Sequence, residues 1–305
     1  MTRLVTEHVE LSNRLVWETD GRDWPNRSHS RFISAAGLEW HVQQFGDVGL
    51  PASAPQVLLI HGTGSSSHSW RDVAPLLAKR YRVLSLDLPG HGFTSMPPPA
   101  EQSLTSMSRK LAALLKIASF SPQLVIGHSA GAAIATQMAL DQSIVPRAII
   151  SLNGAFVGFG GLAGQLFSPI ARLLAAGSFA SRFFAWQAQD AAIVDKLMRS
   201  TGSVLDATGM RLYAQLVRNP GHVSGALAMM AHWDLVPLEH ALPSLDIPIW
   251  LVAAENDLTV PPAQAPLVAR RLKNAHIVLW PMLGHLAHEE SPAQCAALAD
   301  EVISC

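Results

Sequence analysis

The sequence predicts an α/β protein: a mostly parallel central sheet with helices on both faces and an inserted helical cap. Three observations predict it. Short, wholly apolar runs alternate with stretches of helical periodicity, as strands covered on both faces require. The alternation stops between Val157 and Glu239, where only helical patterns occur, and then resumes. With 305 residues, 49% of them hydrophobic, the chain can bury a large core.

Taken in order, Ser30–Ala36 and Leu38–Phe45 read as two strands joined at Gly37. Val57–Ile60 is a continuous apolar run suited to the interior of a parallel sheet, and a helix with Trp70, Val73, Leu76 and Leu77 on one stripe follows it. Arg82–Leu86 is the next strand, and Leu104, Met107, Leu111 and Leu114 mark the helix after it. Strands at Leu124–Ile126 and Ala148–Leu152 flank a helix that starts just past Ser129. In the insertion, Asp190–Arg199 and Ala207–Arg218 carry helical patterns separated by Gly and Pro. Strands return at Ile249–Val252 and Ile277–Trp280. Ser291-Pro292 then opens a last helix, with an N-cap followed by proline at the first helical position. The expected division is a core from 1–156, a cap from 157–239 and a second part of the core from 240–305.

Composition narrows the function classes. A net charge of −1 with 15% charged residues offers no field for nucleic acid or an anionic surface. Cys295 and Cys305 make no disulfide framework, and Glu7 and Glu10 interrupt any apolar leader, so a reducing cytoplasm is the expectation. Ala148 to Ile170 lacks charge, but Gly154, Gly158, Gly160, Gly161, Gly164 and Pro169 break it, and its first part reads as a buried strand. Gly158-x-Gly160-x-x-Ala163 imitates a dinucleotide fingerprint, yet Pro169 falls where its helix should run. There is no P-loop. The thirteen histidines show no metal-ligand spacing, so neither a metal nor a cofactor is expected.

The chemistry concentrates elsewhere. Gly127-His-Ser-Ala-Gly131 places Ser129 at a tight turn between an apolar strand and a small-residue helix, a geometry that exposes a nucleophile and demands small neighbours two residues either side. A serine hydroxyl needs a base, and His285 in a Leu-Gly-His loop is the candidate, with His288 as its rival. Asp257 is the candidate acid that orients the imidazole, with Glu255 as the alternative carboxylate. The backbone N–H groups of Thr63 and Ala130 are the expected oxyanion donors, since His61-Gly-Thr-Gly64 follows a strand as such a loop should. Ser129 Oγ is expected within hydrogen-bond reach of His285. Asp87-Leu-Pro-Gly-His-Gly92 reads as scaffold beside the site.

These motifs resemble the α/β-hydrolase superfamily across nearly the whole chain. More narrowly, the sequence resembles the magnesium chelatase accessory proteins of bacteriochlorophyll biosynthesis. The matches are Asp23-Trp-Pro-Asn26, Leu38-Glu-Trp-His-Val-Gln43, His61-Gly-Thr-Gly64 with Ser69-Trp70, Asp87-Leu-Pro-Gly-His-Gly92, Gly127-His-Ser-Ala-Gly131, Ser151-Leu-Asn-Gly-Ala-Phe156 and Gly284-His285. The N-terminal segment and the Ser151–Phe156 stretch carry the narrower likeness. It implies a role tied to magnesium tetrapyrroles and an association with magnesium chelatase.

Specificity is expected in the insertion. It holds Phe159, Phe167, Phe179, Phe183, Phe184, Trp186, Met198, Met210, Met229, Met230 and Trp233; Phe156, Trp186, Met229 and Trp233 are the expected pocket residues. An apolar small molecule, a magnesium porphyrin among the candidates, is the expected ligand, and so apolar a cap also suits peripheral contact with a membrane. Two functions stay open: a serine hydrolase on an apolar ester, and a non-catalytic magnesium-porphyrin carrier using the same pocket.

Overall fold

The apolar runs pair into one eight-stranded sheet of order β1-β2-β4-β3-β5-β6-β7-β8. The strands are β1 (Ser30–Ala35), β2 (Leu38–Phe45), β3 (Gln56–Ile60), β4 (Arg82–Leu86), β5 (Leu124–His128), β6 (Ala148–Leu152), β7 (Ile249–Ala254) and β8 (Ala275–Trp280). The computed structural model describes residues 14–46, 48–157 and 178–304. β2 runs antiparallel to β1 and β4, and every other pairing is parallel. This is the expected α/β-hydrolase fold.

Alternation along each strand supplies both faces. Leu58 and Ile60 of β3 point into a cluster with Leu84, Leu86, Val125 and Ile149, covered by α3 (Leu104–Ile117) and α4 (Ala130–Leu140). Val57 and Leu59 point the other way, against α2 (Val73–Leu77) and α12 (Pro292–Ser304), which contribute Leu77, Cys295 and Leu298. A short α1 (Trp17–Asp20) sits outside β1, and its Trp17 ring meets Phe32 edge-on. The stretch after β3 begins as a 3-10 turn at Ser67–Trp70, and the α-helix starts only at Val73.

Between β6 and β7 the described chain forms α5 (Ser178–Gln187), α6 (Ala191–Arg199), α7 (Ala207–Val217), α8 (Pro220–Ala231) and α9 (Val236–Ala241). Their starts are written in the sequence: the side chains of Asp190, Asp206 and Asn219 accept from Ala192, Gly209 and His222 N–H, and Pro220 takes the first turn of α8. The expected boundary between 239 and 240 falls inside α9, which carries Pro237 in its first turn and packs Leu238 into the core. After β7 come α10 (Gln264–Ala269) and, past β8, α11 (Ala287–Glu290). Among the described residues no helix is long and apolar enough to cross a membrane. Glu7, Glu10, Phe159, Phe167, the Gly158–Ala163 motif and Cys305 lie outside the described residues, as does the side chain of Phe179.

Candidate active site

Strand order reverses around β3, which has β4 on one side and β5 on the other. A crevice opens beyond the C-terminal ends of the strands at such a reversal. β3 leads into His61-Gly62-Thr63-Gly64 and β5 leads into Ser129, so the sheet topology brings the two loops together there. They are in contact: a Cβ on Gly62 would lie 2.9 Å from Ser129 Cβ.

Ser129 sits at φ 51°, ψ −115°, a conformation that L-residues rarely adopt, and α4 begins at the next residue. The turn closes only because its flanks are glycine. A Cβ on Gly131 would come 2.2 Å from Ile60 O, and one on Gly127 would come 2.6 Å from Ala132 Cα. The half-exposed Ser129 hydroxyl stands at the N-terminus of α4 and makes no hydrogen bond among the described residues. Direct reach to His285, expected from the sequence, is therefore not present. Neither Thr63 N–H nor Ala130 N–H has an acceptor among the described residues.

Asp257 and His285 do meet, Nδ1 to Oδ2 at 2.8 Å, and both are buried. Asp257 is clamped from all sides. Oδ1 accepts from Thr259 N (2.7 Å) and Val260 N (2.8 Å), and Oδ2 also accepts from Asn153 Nδ2 at 2.6 Å. The α6–α7 loop fixes His285: its N–H donates to Thr201 O (3.1 Å), and Leu286 N–H donates to Ser203 Oγ (2.8 Å). Behind it, His128 Nε2 donates to His285 O at 2.9 Å.

The rivals stand elsewhere. Glu255 is exposed and accepts from Met282 N. His288 is fully buried against Trp70 and His128, with ring centroids 4.5 and 4.6 Å away, and neither of its nitrogens has a partner. Burial pushes the His288 imidazole down to about 3 and His222 to about 4, and it also lowers His61, His68, His91 and His128. These rings are neutral at pH 7.

Asp87, expected as scaffold, is a buried hub. It accepts from Ser67 N (2.7 Å), Phe93 N (2.9 Å) and His41 Nδ1 (2.8 Å), while His41 Nε2 lies 3.0 Å from Ser30 Oγ. Burial alone would raise the Asp87 carboxyl; the neighbouring His41 and the N–H donors hold it well below the usual carboxylate range.

Of the expected pocket residues, Phe156 and Met229 are buried in the main core cluster, and Trp233 is half-buried against it. Met229 reaches the Gly-rich loop, its Sδ 3.4 Å from Thr63 Oγ1. Trp186 lies elsewhere, 69% exposed on the outer face of α5. Ser181, Ala185 and Ala188 form the buried stripe of that segment, which turns Phe184 and Trp186 outward.

Sequence reasoning missed two parts. Asn153 was visible only as part of the Ser151–Phe156 stretch; its left-handed φ of 49° suits Asn before Gly and aims its amide at Asp257. The second part joins the α5–α9 helices to the core. Tyr213 Oη donates to Glu289 Oε1 (2.8 Å) and lies 3.1 Å from Ser65 Oγ, while Arg71 pairs with Glu289 and Asp206. No local pattern links residues so far apart in sequence. Among the described residues no group of acids, histidines or cysteines is arranged to hold a metal ion.

Residues 57–298 match the model of the Alpha/beta hydrolase family. The chain is 40% identical over 267 residues to the magnesium-chelatase 30 kDa subunit of Rhodobacter capsulatus, covering 88% of this chain and 92% of that one. An alpha/beta hydrolase fold protein from Burkholderia ambifaria superposes with a TM-score of 0.71 at 25% identity, over 89% of this chain and 99% of that one. The enol-lactonase from Burkholderia xenovorans LB400 gives 0.72 at 18% identity, over 90% and 100%, a likeness of fold.

Proposed function

The chain belongs to the alpha/beta hydrolase family, and from that premise we propose that it is a serine hydrolase for an apolar, ester-like substrate. Ser129 is the nucleophile, His285 the base and Asp257 the acid. The observation that carries the reading is the 2.8 Å Asp257–His285 pair at the sheet edge where Ser129 occupies its strained turn. Because Nδ1–H points at Asp257, Nε2 is the free, basic nitrogen of the ring. It takes the Ser129 proton as Oγ bonds to the substrate carbonyl carbon. The carbonyl oxygen becomes an oxyanion facing the unpaired Thr63 and Ala130 N–H groups. His285 then returns the proton to the leaving alkoxide, and water, deprotonated by the same ring, releases the acid and restores Ser129. Asp257 keeps the ring oriented throughout, itself fixed by its N–H donors. Binding of substrate closes the gap between Ser129 and His285, since catalytic hydrogen bonds tighten in the complex.

A second reading rests on a specific observation, the 40% identity to the magnesium-chelatase 30 kDa subunit. In it the protein carries a magnesium porphyrin in the bacteriochlorophyll pathway, beside the chelatase, against the half-buried Trp233. The cytoplasm is the proposed location, and the exposed Phe184 and Trp186 suit contact with a membrane surface.

Fluorophosphonate labelling with peptide mapping, with and without added magnesium protoporphyrin, tests both. A hydrolase shows label on Ser129, slowed if the porphyrin competes. A carrier shows no label and saturable quenching of Trp233 fluorescence.

A further inference from the structure

We propose that the outer edge of β8 is a pairing surface for a second copy of this chain, the two β8 strands running antiparallel across a two-fold axis through Ile277. β8 closes the sheet and pairs only with β7 among the described residues. Its direction of pairing can be read from the ladder. The carbonyls of Asn274 and Trp280 accept from Ile249 and Glu255 N–H, so the even-numbered residues face β7. By the alternation of a strand, the N–H and C=O groups of Ala275, Ile277 and Leu279 face outward.

Edge strands are normally protected by charge, proline or a bulge. The opposite edge is protected in this way: β1 exposes Arg31, and Trp17 packs on Phe32. β8 has no acid, lysine, arginine or proline from Ala275 to Trp280; its exposed His276 stacks on Trp250, and Ile277 (49%) and Leu279 (59%) stand exposed on one side of the sheet. The outward set fits itself. With Ile277 opposite its own symmetry mate, Ala275 meets Leu279, and each pair exchanges both of its backbone hydrogen bonds. The larger side chain lies across the smaller at both ends, while the isoleucines stack on the axis.

Charge selects the antiparallel sense. Lys273 stands exposed at the N-terminal end of β8, where it bonds Asp246. Glu255 stands exposed at the C-terminal end, where its carboxylate accepts from Met282 N. In this register Lys273 of one copy lies across from Pro281 of the other, beside Met282 and the Glu255 carboxylate, and the two-fold repeats that contact. Parallel pairing would set lysine beside lysine.

Sedimentation and light scattering across about 1–100 µM, spanning the affinities of ordinary dimers, test the proposal. A reversible dimer is expected. Ile277→Lys places like charges on the axis, and Ile277→Pro removes an outward donor without touching the β7 ladder; each should weaken the dimer at least ~30-fold, the scale of a central interface residue, with the melting midpoint unchanged at dilutions where both proteins are monomeric. Glu255→Lys and Lys273→Glu should each weaken it, and the double exchange should restore it, which reads the register. A wild-type chain monomeric across the range, or a dimer indifferent to both Ile277 variants, overturns the proposal. A dimer lost in the Ile277 variants but unmoved by the charge exchange overturns the register.

Discussion

Replacing Ser129 by glycine should make the protein more stable than replacing it by alanine. Both changes delete the hydroxyl, so their difference isolates the Cβ at φ 51°, ψ −115°. Holding an L-residue in so sparsely populated a region costs about 1–3 kcal/mol. Glycine relieves that strain but loses ~0.4–1 kcal/mol through its greater freedom in the unfolded chain. Half-burial of the alanine methyl is worth roughly a further 0.4 kcal/mol. The balance favours glycine by about 1 kcal/mol. At about 2.1 cal/mol/K per residue, the unfolding entropy of the 305-residue chain makes that about 1.6 °C in melting temperature. Urea titrations of the two variants side by side, with matched m-values, give the difference directly. A glycine variant less stable than the alanine one by about 0.5 kcal/mol or more, beyond the lower bound of those terms, would refute the claim that the turn is strained.

Three further outcomes follow from the site. Asp257→Asn should cut ester turnover by roughly 10⁴, through the wrong imidazole tautomer, and a near-normal rate would remove Asp257 from its role. Asn153→Ala removes the 2.6 Å donor on Asp257 Oδ2. It should lower kcat about 10-fold, ~1.4 kcal/mol in the transition state, at constant KM; a rise in KM alone would assign Asn153 to substrate binding. Acid should unfold the protein readily. His61, His68, His91, His128, His222 and His288 are neutral in the fold, with pKa values lowered from 6.5, so below that pH the unfolded chain binds more protons. Each such group lowers stability by about 1.4 kcal/mol per pH unit until its folded pKa is reached. The urea midpoint should therefore fall steeply from pH 7 to pH 5, and a flat profile would show that these rings titrate normally.

The inner strands were legible as short apolar runs, and β1 and β2 as mixed segments hinged at Gly37. Leu38–Phe45, Arg82–Leu86 and Ala148–Leu152 coincide with the observed β2, β4 and β6. The chemistry-bearing loops were legible for a related reason: Ser129, Asp257 and His285 each follow a strand whose apolar run announces it. What resisted was tertiary. Trp186 and Met229 look alike as bulky apolar residues on helices, but the side of α5 that packs inward is set by small residues at 181, 185 and 188. Tyr213, Glu289 and Arg71 carry no signal until folding brings three distant segments together.

The Asp87 hub also bears on how sites of this kind are recognised. Ser30, His41 and Asp87 form a continuous hydroxyl–imidazole–carboxylate chain, 3.0 and 2.8 Å, more complete than that of Ser129, whose hydroxyl stands alone. A search for triads by distance would rank Ser30 first. Yet Ser30 has ordinary extended backbone, φ −79° and ψ 140°, and the rings of Trp17, Phe32 and Phe93 crowd its histidine. Its carboxylate accepts from the Ser67 and Phe93 amides, much as Asp257 accepts from Thr259 and Val260, so the acid does not tell the two apart. The same three side chains therefore make a rivet at the sheet edge and, by the reading proposed above, a reactive centre at the crevice. What separates the two is main-chain geometry: a forced turn that presents the oxygen, and amides left vacant beside it. In this chain the two serines differ in backbone torsion, φ 51° at Ser129 against −79° at Ser30, where their side-chain partners do not set them apart.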